Sequence, residues 1–202
     1  MSTPIFIAEV KTESPYGYRS QRGWSSLLEI AAEHGDWVSV HTDVRWGGSW
    51  DVLWAARQST KKPILAKGIH SLDSEIEKAF DLGADYVLCV GRVPQRMREG
   101  RSAEWFDRVI VEPAFYLRNA LDARDYSRYA SKLCYNSRNI TNGDCVGTPS
   151  SGMVRAIDKD PDLWLCQASG IRSVDQIYSG YDAFIVGEHL EEFVKEYKHE
   201  AK

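Results

Sequence analysis

Short runs of apolar and β-branched residues recur along the chain, each ending on a polar residue or at a turn and followed by a stretch of helical character. The runs span Ile5–Lys11, Trp37–Thr42, Pro63–Lys67, Tyr86–Arg92, Val109–Glu112, Leu133–Asn136, Trp164–Ala168 and Ala183–Gly187. Near-continuous hydrophobicity is what a parallel strand shows when both of its faces are covered. Between the runs, Trp24–His34, Ser49–Gln58, Leu72–Leu82, Phe115–Tyr129, Val174–Tyr178 and Glu188–Lys198 carry helically spaced apolar residues or good helix formers. Gln95–Phe106 and Ser150–Ile157 predict weaker helices. Such alternation predicts βαβ units and a parallel sheet. Eight strands, with no glycine fingerprint for a dinucleotide after the first, favour a closed α/β barrel over an open sheet. The expectation is a single (β/α)8 TIM barrel of minimal size over residues 1–202, at about 25 residues per unit.

Two connections stand out. Residues 92–108 hold Pro94, Gly100 and five arginines, and residues 139–152 are rich in Gly, Ser, Thr and Asn. Both read as candidate mobile loops or contacts between copies. No internal repeat, low-complexity tract or linker divides the chain.

Composition narrows the class. With 43% hydrophobic residues in 202, the chain buries one substantial core. A net charge of −4, with scattered Lys and Arg, gives no basic field for nucleic acid or an anionic membrane. No run reaches the roughly 20 apolar residues of a membrane span, and residues 1–4 show no signal-peptide pattern. A cytoplasmic protein with a small-molecule ligand is expected, as a monomer or small homo-oligomer. Cys89, Cys134, Cys145 and Cys166 are widely spaced and read as reduced thiols. His34, His41, His70, His189 and His199 lack metal-ligand spacing and read as structural or surface groups, so no metal or cofactor is expected.

Polar residues at the strand ends carry the chemistry. The first run ends Glu9-Val10-Lys11, the third ends on Lys67, the fifth on Glu112 and the sixth on Asn136, with Arg138 just beyond. A barrel gathers these groups at one end. Buried charges are costly, so they must pair, reach water or bind a charged ligand. After the last two strands, Ser169-Gly170 and Gly187-Glu188 form short glycine-bearing turns that present backbone N–H groups to an anion, at the corner where barrels commonly bind phosphate.

These residues also carry a family resemblance that runs in order along nearly the whole chain. Ile7-Ala8-Glu9-Val10-Lys11 with Ser14-Pro15, Ser39-Val40-His41-Thr42-Asp43 with Gly48-Ser49, Pro63-Ile64-Leu65-Ala66-Lys67 and Gly83-Ala84-Asp85-Tyr86-Val87-Leu88 resemble strands of indole-3-glycerol phosphate synthase. So do Asn136-Ser137-Arg138-Asn139, Ser169-Gly170-Ile171 and Asp182-Ala183-Phe184-Ile185-Val186-Gly187-Glu188. The resemblance, within the ribulose-phosphate-binding barrels, implies a lyase that closes the indole ring of a carboxyphenylamino-deoxyribulose phosphate. Lys67 is then the general acid and Glu112 the acid/base group for dehydration, with Glu9 and Asn136 in support. Lys11, Ser14, Arg138 and Trp46 would bind substrate, and Ser169, Gly170, Gly187 and Glu188 would line the phosphate site. Lys11 and Arg138 are also expected to lower the pKa of Lys67.

Departures mark this chain. Gly68 stands where the family has Asp, Ala168 where it has an acid, and His189 where it has a small residue. Trp46 stands where a smaller aromatic is usual, and the chain begins at its first strand, without the helical extension usual in the family. Two alternatives follow: a barrel of the same family acting on another phosphorylated substrate, or a phosphate-ligand-binding barrel without catalysis.

Overall fold

The computed structural model describes residues 3–91, 93–101, 103–113, 126–145, 147–148, 151–158 and 162–200. Its eight strands close into a parallel barrel in the order β1 to β8, as the alternation predicts. They are β1 (Ile5–Val10), β2 (Trp37–His41), β3 (Ile64–His70), β4 (Tyr86–Val90), β5 (Val109–Glu112), β6 (Lys132–Asn136), β7 (Trp164–Ala168) and β8 (Ala183–Val186). Around them lie α1 (Trp24–His34), α2 (Trp50–Ser59), α3 (Asp73–Asp81), α4 (Gln95–Arg98), α5 (Ala103–Phe106), α6 (Ser151–Asp158) and α7 (Leu190–Glu200).

Most differences from expectation fall in the connections. The weak helix over Gln95–Phe106 is two single turns, α4 and α5, separated by Gly100 in the left-handed region. The helix expected over Val174–Tyr178 shrinks to a 3₁₀ turn, Val174–Gln176, which one side chain holds: Gln176 Oε1 accepts from the backbone N–H groups of Arg172 and Ser173. The helix expected over Phe115–Tyr129 lies largely outside the described residues. Strand β3 runs three residues beyond its expected end at Lys67, and its pairing with β4 shifts register between Ala66 and His70.

Each strand sends alternate residues to opposite faces. One set, including Phe6, Ala8, Val38, Val40, Val87, Val109, Val111, Phe184 and Val186, packs under the helices with Leu27, Ala31, Leu53, Ile76 and Phe193. The other set fills the barrel's interior with Ile7, Leu65, Leu88, Ile110, Cys134, Cys166 and Ile185. At the N-terminal mouth, Trp37 stacks on Tyr86 with centroids 4.1 Å apart and on Trp164 at 5.8 Å. Three aspartates set the lower edge: Asp36, Asp85 and Asp182 accept the backbone N–H of Phe6, Ile64 and Leu165, each at 2.8 Å. Each thereby caps the strand before its own, and Asp85 and Asp182 are themselves held by Arg57 and Arg155. Among the described residues, no helix is long and apolar enough to cross a membrane.

Candidate active site

The interior positions continue upward into charge. One pleat above Ile7, Leu65, Ile110 and Cys134 stand Glu9, Lys67, Glu112 and Asn136, at the C-terminal ends of β1, β3, β5 and β6. They form two linked pairs. Lys67 Nζ donates to Glu9 Oε2 at 2.5 Å, and Asn136 Nδ2 donates to Glu112 Oε1 at 2.9 Å. Asn136 Oδ1 also accepts from the Arg138 backbone N–H at 2.9 Å, which ties the amide to the loop beyond β6.

Above them lie two adjoining compartments that share Lys11, Lys67, Arg138 and Ser169. One combines Glu112 and Asn136 with apolar and aromatic walls from Tyr16, Trp46, Leu88, Val90 and Ile140. The other is polar, with Gly170, Arg172, Gly187, Glu188 and His189. Its turn is conformationally distinctive: Ser169 holds φ 65° and Gly170 φ 73°, both left-handed. A non-glycine residue there carries strain of about 1–3 kcal/mol, retained where the surroundings impose it. Gly187 has no room for a side chain, since a Cβ would lie 2.7 Å from Glu9 Oε1.

Eleven of the twelve expected residues line these compartments. The exception is Ser14, whose hydroxyl accepts from the Tyr16 backbone N–H at 3.4 Å and so shapes the loop after β1 rather than the cleft wall. Its effect is felt through Tyr16, which donates to the Ile140 carbonyl and lies under the Arg138 guanidinium at 5.4 Å. Glu188 differs from a simple phosphate ligand. Its carboxylate bridges Lys11 Nζ and Arg138 Nη2, each at 2.9 Å, and is itself an anion in the polar compartment. Gly68 is explained by packing: a Cβ there would lie 2.8 Å from Thr42 Oγ1 and 3.1 Å from the His70 ring. Those two groups bond to each other at 2.8 Å.

The electrostatics divide the two carboxylates. Burial pushes the Glu9 carboxyl up, but Lys67, His41 and Lys11 together outweigh it and hold Glu9 well below the ordinary carboxylate range. Burial pushes Glu112 up as well, and there Lys67 and the Asn136 hydrogen bond offset it only in part, so its pKa is raised. Glu9 is thus a fixed anion, and Glu112 is a carboxyl able to exchange a proton closer to neutral pH. For Lys67 the expectation is overturned. Burial lowers its pKa, but Glu9 and Glu112 more than compensate and the net shift is upward, while Lys11 and Arg138 are occupied by Glu188. Lys67 is a fully protonated donor rather than a half-deprotonated one.

The sequence reading missed one residue here. His41, taken as structural or surface, is 5% exposed, lines the apolar compartment, and places Nε2 3.1 Å from Glu9 Oε1. Its ring stacks on Trp46, with centroids 5.6 Å apart. Nδ1 is buried with no partner among the described residues, a situation that costs about 1–3 kcal/mol. Its only advance signal was position, two residues beyond Ser39 on the inward face of β2. Among the described residues, no group of three or more His, Cys, Asp or Glu side chains is arranged to hold a metal ion.

A family model described as indole-3-glycerol phosphate synthase matches residues 1–196. The indole-3-glycerol phosphate synthase of Sulfurisphaera tokodaii is 26% identical over 191 residues, covering 91% of this chain and 77% of that protein. That of Laribacter hongkongensis is 29% identical over 195 residues, covering 90% and 72%. That of Pyrobaculum aerophilum is 29% identical over 139 residues, with this chain spanning about half of its length (55%). A crystal structure of 3-hexulose-6-phosphate synthase superposes with a TM-score of 0.65 at 16% identity, covering 94% of this chain and 99% of that one, a likeness of fold.

Proposed function

The chain belongs to the indole-3-glycerol phosphate synthase family, whose members are carboxy-lyases, and on that premise we propose that it closes an indole ring. The substrate in this reading is 1-(2-carboxyphenylamino)-1-deoxyribulose 5-phosphate, and the step belongs to tryptophan biosynthesis. The observation that carries the proposal is the position of Lys67: a buried ammonium, anchored by Glu9, on the wall common to the apolar and the polar compartment. A substrate with an aromatic ring at one end and a phosphate at the other would span both and bring its ketone to that ammonium.

The chemistry follows from the charges. As the carboxyl-bearing ring carbon attacks the ketone carbon, Lys67 donates its proton to the ketone oxygen, which becomes a hydroxyl. Breaking the bond to the carboxylate releases carbon dioxide and returns the electron pair to the ring. Glu112, the carboxyl with the raised pKa, then moves the protons needed for the hydroxyl to leave as water. The turns at Ser169-Gly170 and Gly187 offer backbone N–H groups to the phosphate, while Lys11 and Arg138 add positive charge.

Adding the substrate to the purified protein is the test. Indole fluorescence growing with time supports the reading; its absence in a folded protein that still binds the substrate overturns it. One observation favours a second reading, a different phosphorylated substrate: Glu188 bridges Lys11 and Arg138 and offsets one of their two positive charges, which leaves the polar compartment less cationic than those two residues alone would make it. Binding of a phosphorylated ketose without an aromatic ring, in preference to the aromatic substrate, would support it.

A further inference from the structure

His41 lies beyond the residues that the proposed function uses. It sits at the end of β2, between β1 and β3: the pairing of β1 with β2 places Glu9 beside Ser39, and that of β2 with β3 sets His41 beside Lys67, so that the inward-facing ring and the ammonium meet the carboxylate as neighbours. The two neighbours take different oxygens: His41 Nε2 meets Oε1 at 3.1 Å, and Lys67 Nζ meets Oε2 at 2.5 Å. Ring orientation is also fixed by the stack on Trp46, whose ring lies 4.9 Å from the Arg45 guanidinium.

Chemistry then determines the tautomer. An ionised Glu9 is an acceptor only, so Nε2 must carry a hydrogen to bond it. If the ring is neutral, Nδ1 is bare, and a bare buried nitrogen without a donor is what the structure contains. A second proton on Nδ1 would place an imidazolium on a carboxylate whose other oxygen already holds the Lys67 ammonium, with Lys11 nearby. Burial lowers the pKa of His41, the Glu9 contact pushes it back up, and the balance is downward.

We propose that His41 is a positioning residue: as the neutral Nε2–H tautomer it occupies Glu9 Oε1, fixes the rotation of that carboxylate, and leaves only Oε2 to orient the Lys67 ammonium. The proposal rests on the proposed function for its kinetic consequence but not for its structural content. Other charged groups bear on the same pair. Lys11 just after the first strand acts on both Glu9 and His41, Glu112 on the fifth acts on Lys67, and Asp43 just after the second strand is within the influence of His41. Of these, only Lys67 and His41 are bonded to the Glu9 carboxylate.

Two measurements test it. Nitrogen-15 NMR of histidine-labelled protein is expected to show His41 with a protonated Nε2, a bare Nδ1, and no titration near pH 6.5, the ordinary value for a free imidazole. A protonated Nδ1, or gain of a second proton near that pH, overturns the proposal without touching the reaction assignment. The second compares His41→Leu, which keeps bulk and loses the donor, with His41→Gln, whose amide reaches the same oxygen. His41→Leu is expected to lower kcat roughly 10- to 100-fold with little change in KM and to move the acid limb of the pH–rate profile upward. His41→Gln should recover most of both. Unchanged kcat and pH profile in His41→Leu overturn the proposal. If the wild type does not turn over the indole precursor at all, the reaction assignment falls, and the NMR result alone decides His41.

Discussion

The lower and upper halves of the barrel interior come from the same strands and are chemical opposites. Below, Ile7, Leu65, Ile110 and Cys134 sit over the stacked rings of Trp37, Tyr86 and Trp164. Two residues further along the same strands stand Glu9, Lys67, Glu112 and Asn136. The apolar half excludes water from beneath the charged half, so each charge there is felt strongly and must be answered by a neighbour. It also fixes backbone positions: side chains projecting from packed strands hold their geometry better than side chains on loops. The contrast teaches that the site is made by interrupting a hydrophobic pattern at one level, with the pattern itself as its support.

The largest expected effect comes from cutting the upper half at its centre. Lys67→Ala should reduce turnover of the indole precursor by roughly 10²- to 10⁴-fold, read by product fluorescence, and undiminished turnover would remove Lys67 from the mechanism. Next comes the lower half. Trp37→Ala should cost about 3–5 kcal/mol of stability in a denaturant titration, because it opens a cavity in the aromatic stack. A cost under about 1 kcal/mol would mean that the upper half does not lean on the lower.

Smaller effects separate the two carboxylates by pH. The folded-state pKa of Glu9 is depressed, so its contribution to stability is present above the unfolded carboxylate value of about 4.3 and lost as pH falls through the lower folded value. Glu9→Gln should therefore flatten the acid limb of the stability curve. Glu112 works in reverse. Its folded pKa is raised, so its favourable contribution is present below the unfolded value and lost as pH rises through the folded one. Glu112→Gln should raise the melting temperature at neutral pH and change it less at pH 4, and the opposite order would contradict the division of labour. The smallest effect is expected from Cys145→Ser, an exposed thiol at the rim, which should stay within about 0.5 kcal/mol of the wild type.

The barrel was legible because its signal is local. Each strand is a short apolar run, and Glu9, Lys67, Glu112 and Asn136 stood out as polar steps at the ends of such runs. What the pattern could not carry was register. His41 in a strand looks like any core histidine until the pairing of β1 with β2 sets it against Glu9. The loss of Lys11 and Arg138 to Glu188 joins residues 177 and 50 positions apart, beyond any local rule. Gly68 read as a missing acid, and only the contact between Thr42 and His70 shows that the space is taken. Helix lengths failed for a different reason: one-turn segments such as α4 and α5 are decided by side-chain contacts rather than by propensity.

Among the described residues, the aromatic stack fills the N-terminal mouth of the barrel, and both compartments of the cleft lie at the other end. Whatever enters must leave the way it came, so in the proposed reaction carbon dioxide, water and a bulky product share one exit. Traffic through that exit passes Tyr16 and Arg138 at the rim, and substitutions there should alter the rate of departure without touching the groups that move protons.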